Sequence, residues 1–180
     1  METPDVKDLT STSFGYIIAF LLPGLLGLYA LTYWSSTAAQ LIGPAFKADA
    51  NVGPSVILLL IALGVGLLVS ALRFYLFEKL LCRNHKFPTD MFSKLAAEKK
   101  LESFKAVVDE HYRYHQFYGG CCVAVLILYA GWFRHAVYNL DRRFILVSVA
   151  FILFEWLTIV TGMDAFVRYV QRGTTIVNGD

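Results

Sequence analysis

Four stretches of this chain carry almost no charge, and that pattern constrains the fold more than any other feature. Residues 9–46 hold no Asp, Glu, Lys or Arg, and neither do residues 50–72 or 114–133. Residues 144–163 hold one, Glu155. A bilayer core about 30 Å thick needs about 20 apolar helical residues to cross it. The spacing therefore predicts an all-α polytopic membrane protein, one four-helix domain with spans at about 14–34, 55–77, 117–133 and 144–163. A segment at 79–116 is left on one side. Composition agrees: hydrophobic residues make up 57% of the 180, against roughly 45–50% in ordinary soluble domains.

Local signals refine the elements. Ser11 or Ser13 is expected to cap the first helix, and Pro23 inside it removes one backbone hydrogen bond. Gly43-Pro44 and Gly53-Pro54 mark turns in the connector that follows. In 79–116, Thr89 reads as a helix cap. Phe92, Leu95, Leu101, Phe104, Val108 and Tyr112 then recur at helical spacing among charges, the pattern of an amphipathic segment leading into the third span. Asn139 and Asp141 suit a short turn. The fourth helix is expected to end near Arg172, with Gly173 as its C-cap.

Orientation follows from lysine and arginine bias. One side holds Lys7, Lys79, Arg83, Lys86, Lys94, Lys99, Lys100, Lys105, Arg113, Arg168 and Arg172, eleven in all. The other holds four: Lys47, Arg134, Arg142 and Arg143. Both termini and the 79–116 segment are thus expected in the cytoplasm. The acidic residues around Lys7 do not make the basic start of a secretory signal.

Several residues are candidates for function. Glu155 falls near mid-membrane, and Ser148, Thr158 and Gly162 share its side of the fourth span. A carboxylate at that depth lines a polar path or ties helices together. Arg73 ends a stripe made by Ala62, Gly66 and Ser70; it either reaches the headgroups or meets a buried partner, and a pairing with Glu155 is one option. Ala19, Pro23, Gly24 and Gly27 form a small-residue face for packing, within or between subunits, or for a gating hinge. Lys79, Arg83, Lys86, Lys94, Lys99 and Lys100 are positioned for an anionic ligand or for acidic lipid. Cys82, His85, His111 and His115 have spacings a zinc ion could use, although no metal or other cofactor is expected. Three cysteines, two of them adjacent, suggest no disulfide framework. The chain carries no phosphate-binding glycine loop, serine elbow or HExxH, so no enzyme is expected. Its net charge of +2 gives no reason to expect a large nucleic acid as partner.

The "FLLPGLLGLYALTYW" helix, the "KLAAEKKLESFKAVVDEHYRYH" segment, the chain length and the four uncharged windows together resemble small membrane effectors of bacterial anti-phage operons, of the CBASS and Hailong types. The resemblance covers layout and carries over no functional residue. It implies an inner-membrane protein through which a nucleotide signal from a partner enzyme controls ion flow or membrane disruption. The expectation is a homo-oligomeric pore or channel. The rival is a non-conducting scaffold or regulatory subunit that recruits a partner through its cytoplasmic helices.

Overall fold

The computed structural model describes residues 6–46, 52–84, 87–88, 90–97, 100–138 and 141–178. Its elements are helical throughout: α1 Val6–Trp34, α2 Ser36–Ile42, α3 Val52–Arg73, α4 Met91–Ala97, α5 Leu101–Val107, α6 Arg113–Ala136 and α7 Arg142–Asn178. A 3-10 turn, Gly43–Phe46, follows α2. Two stretches adopt the wider π-helical turn, Phe74–Leu81 after α3 and Val108–Tyr112 between α5 and α6.

Four helical stretches are long and apolar enough to cross a membrane: Ile17–Trp34, Ser55–Leu81, Leu101–Ala136 and Arg142–Asn178. They give the chain the build of an integral membrane protein. The third span lies centrally: α6 packs on α1, α3 and α7, and α1 also packs along α3. The outer faces of α3 and α7 are apolar and exposed, as at Leu60, Leu68, Ile152 and Trp156. Such faces suit acyl chains as well as a protein interior.

Glycine sets how closely the spans approach. A Cβ on Gly24 would collide with the Ala62 carbonyl, and one on Gly66 with the Phe20 carbonyl. α1 and α3 therefore meet backbone to backbone. Gly27 faces Val65 and Val69, and Gly120 of α6 receives the Pro23 ring. The small-residue faces of the first two spans thus close on each other and on α6 inside one chain. Pro23 is tolerated within α1, whose helix runs through it.

The last two spans overshoot a bilayer. Leu101–Ala136 has 36 residues and α7 has 37, so each is about 54–56 Å long at 1.5 Å per residue, against a hydrocarbon core of about 30 Å. The excess of both lies on the side of the C-terminus. There Met91 and Leu95 of α4 bury against Phe104 and Val177, with Phe87 and Tyr169 packed on them. Cys82, Phe166 and Val170 continue this core toward the spans. The result is a small helical cap at that end of the bundle.

Three sequence expectations change. α1 begins at Val6, so Ser11 and Ser13 lie inside it and do not cap it. α7 does not stop near Arg172: it runs through Gly173 to Asn178, because Gly173 is where the Phe87 and Phe104 rings lie against the helix. Packing, and not a C-cap, explains that glycine. The connector after α1 holds a helix, α2, capped where the Ser35 side chain accepts the Ala38 N–H at 3.3 Å. Asp141 caps α7, its Oδ1 accepting the Phe144 N–H at 2.8 Å. Asp141→Ala is expected to cost about 1 kcal/mol, seen as faster hydrogen exchange in the first turn of α7. Thr89 and Asn139 lie outside the described residues.

Candidate functional site

A charged, buried cluster lies where the spans enter the cap. Counting about 20 residues from the far end of each span reaches the same level at Tyr75, Phe117 and Gly162. At that level three polar side chains converge on one oxygen of a fourth, Glu78. Arg73 Nη1 lies 3.0 Å from Glu78 Oε1. The Tyr112 hydroxyl donates to the same oxygen at 3.1 Å. His115 Nε2 stands 3.8 Å from it. The other ring nitrogen, His115 Nδ1, donates to the Gly162 carbonyl of α7 at 2.8 Å. Arg73 is 2% exposed and His115 is fully buried.

The two π-helical turns build this cluster. Arg73 and Glu78 are five residues apart, which on an α-helix places them about 140° apart around the axis. A π-helical turn, bonded i to i+5, brings such residues onto one side. Its bonding is visible where the Cys82 N–H reaches the Phe77 carbonyl at 2.7 Å. In the second π-helical turn the Arg113 N–H reaches the Val108 carbonyl, and Tyr112, the last residue of that turn, donates to Glu78. Gly119 has no side chain because the Arg73 stem occupies that space. Phe77, Phe166 and Tyr112 surround the His115 ring at centroid distances of 5.8, 4.8 and 6.0 Å. Arg73 Nε and His115 Nε2 remain without a hydrogen-bond partner among the described residues.

A second polar seam runs deeper in the membrane. Cys122 of α6 donates its thiol to Glu155 Oε2 at 2.7 Å. Tyr129 donates to Ser148 at 2.8 Å. Thr158 is buried and bonds back to the carbonyls of Phe154 and Glu155. Ser148, Glu155 and Gly162 therefore all bond across to α6, and Thr158 is buried beside them. Among the described residues Glu155 Oε1 has no hydrogen-bond partner. The residue lines a groove of about 400 Å³ between the Phe74–Leu81 turn and α7. Apart from Cys122 and Glu155, every lining residue is Leu, Ile or Phe.

Arg73 and Glu155 are not paired: Arg73 holds Glu78, and Glu155 holds Cys122. Ala62 and Gly66 meet α1, and Ser70 is half-buried one turn before Arg73. The described basic candidates have partners or surroundings of their own. Lys79 lies over the Tyr75 ring at 4.5 Å, and Arg83 is exposed. Lys94 pairs with Asp90 at 2.8 Å, a bond that holds the Asp90 carboxyl below the usual carboxylate range. Lys100 precedes α5. Lys86, Lys99 and His85 lie outside the described residues. Among those described, no group of three or more His, Cys, Asp or Glu side chains could hold a metal. His115 turns to Gly162, His111 lies 3.8 Å from Glu110, and Cys82 is buried with its thiol pKa raised by that burial. All three cysteines are free.

At the far surface Trp34 Nε1 donates to the Ile127 carbonyl at 3.1 Å, and Arg134 lies over the Trp34 ring at 5.0 Å. One of the three arginines near the turn between the last two spans thus has an aromatic partner. Comparison with family models, curated proteins and solved structures finds no match to this chain. The chemistry of the site rests on its own geometry.

Proposed function

We propose that this chain is the subunit of a homo-oligomeric membrane channel, regulated from the side that carries the cap. One observation carries this reading: Glu155 has an oxygen without a hydrogen-bond partner among the described residues, beside a largely apolar groove on the outside of the subunit. An intramembrane carboxylate is costly unless water or another polar group meets it. A neighbouring copy laid over the groove would enclose it and allow a wetted path along Glu155. The groove that Glu155 lines opens on the outer side of the subunit, so conduction would run between subunits. The lysine and arginine bias supports a cytoplasmic position for the cap. There a nucleotide signal or its producing enzyme, as in the inner-membrane defence effectors this chain resembles, would act on the cap.

The second reading is a non-conducting scaffold or regulatory subunit. It is favoured by the small-residue faces, which close within one chain instead of facing outward. Ion flux through reconstituted liposomes, with and without candidate nucleotides, separates the two. Glu155→Gln is expected to change conductance or selectivity while the protein keeps its thermal stability. A wild-type protein that passes no ions under any tested ligand sinks the channel reading and leaves the scaffold.

A further inference from the structure

The surroundings of Glu155 restrict which ion it can serve. Its two carboxyl oxygens are in different states. Oε2 accepts the Cys122 thiol hydrogen at 2.7 Å, and Oε1 is buried without a hydrogen-bond partner among the described residues. A proton can therefore join and leave Oε1 while the bond from Cys122 to Oε2 stays in place. Protonation neutralises the group and needs no further ligand from the protein. The rest of the groove is lined by side chains such as Leu76, Leu80, Ile152 and Ile159, which offer no oxygen. Glu78, on the same turn as the two leucines, is held by Arg73 and does not line the groove.

A metal cation finds nothing comparable there. Stripped of water, it needs several oxygen ligands in place of its hydration shell. With its shell kept, it must pass a hydrophobic lining, and such constrictions exclude hydrated ions by dewetting. A second copy closing the groove brings no other kind of charge. Residues 9–46, 50–72, 114–133 and 144–163 hold no Asp, Glu, Lys or Arg besides Glu155. An anion meets a carboxyl group and no cation at that depth. We propose that the ion moved past Glu155 is the proton. The carboxylate takes it onto Oε1 from one water and returns it to another, ending each cycle as it began. The inference rests on the channel reading and adds to it the identity of the ion.

The test uses the full chain in liposomes, with and without candidate nucleotides. Proton entry is read by a pH-sensitive dye trapped inside, driven by a potassium diffusion potential through valinomycin. Sodium, potassium and chloride are read by trapped ion-sensitive dyes without valinomycin. Wild type is expected to pass protons, while the other ions move no faster than in protein-free liposomes. Glu155→Gln should lose the proton flux. Glu155→Asp keeps a protonatable oxygen and should retain part of it. Flux of sodium, potassium or chloride through wild type overturns the proton inference and leaves the channel reading standing; this arm needs no variant. Undiminished proton flux in Glu155→Gln, at an unfolding temperature matching wild type, overturns the inference as well. No flux of any ion under any tested ligand sinks the channel reading itself, and the proton inference with it.

Discussion

Glu78→Ala is expected to destabilise the protein by about 3–5 kcal/mol, because it leaves a buried guanidinium without its carboxylate. For a chain of this size that corresponds to a fall of roughly 10 °C in unfolding temperature, measurable by intrinsic fluorescence in mild detergent. Arg73 is 2% exposed and its ion pair is with Glu78. Its stem is locked against Gly119, so it cannot turn to water without separating α3 from α6. Removing both charges is predicted to be milder than removing one. Arg73→Met with Glu78→Leu should recover most of the loss, since apolar groups of similar volume replace a buried pair with little penalty. Tyr112→Phe removes one hydrogen bond and should cost about 1 kcal/mol. A Glu78→Ala protein as stable as wild type would mean that water reaches Arg73 and that the cluster is not a closed unit.

The second large effect concerns the helix contact in the membrane. Gly66→Val is expected to prevent α1 and α3 from packing, giving aggregated or unfolded protein on solubilisation. A Cβ there falls against the Phe20 carbonyl, and backbone cannot move aside as a flexible side chain can. Overpacking a well-filled site typically costs about 1–3 kcal/mol, and here the clash is with backbone. Gly64 supplies the control. It lies two residues away on the same helix, with nothing within 4 Å of its would-be Cβ. Gly64→Val should be close to neutral. Equal tolerance at both positions, by size-exclusion profile and unfolding temperature, would show that α1 and α3 do not touch at these glycines.

The contrast between these two sites explains what the sequence revealed. Ala62 and Gly66 recur at four residues, and Gly24 and Gly27 at three, which are α-helical face spacings. Both stripes could be read directly, though not which surface they would meet. Glu78 was hidden because its partner lies five residues away. That spacing means nothing on an α-helix and becomes a contact only in a π-helical turn. No local signal among Phe74–Leu81 announces the change of pitch. Tyr112 was visible as an apolar-face residue, and its hydroxyl role depends on a chain segment 34 residues earlier. Cys122 was noted only as half of an adjacent cysteine pair, and its bond to Glu155 exists because α6 and α7 run in register. The four windows were legible because length and absence of charge are local properties. Gly173 misled for the opposite reason: its neighbours Phe87 and Phe104 come from elsewhere in the chain.

The excess length of α7 has a mechanical meaning. Because its helix is unbroken from Arg142 to Asn178, it would tilt as a lever, with the His115–Gly162 bond near the fulcrum. The short arm lies in the cap, and the long arm, about 30 Å at helical rise, crosses the bilayer. A tilt of about 5° at the fulcrum moves the far tip by roughly 2.6 Å over that length. Glu155 sits only about 10 Å along the arm and travels about a third as far. A push on the cap would therefore swing the far end of the span most and the carboxylate less, an unequal stroke set by where the fulcrum lies.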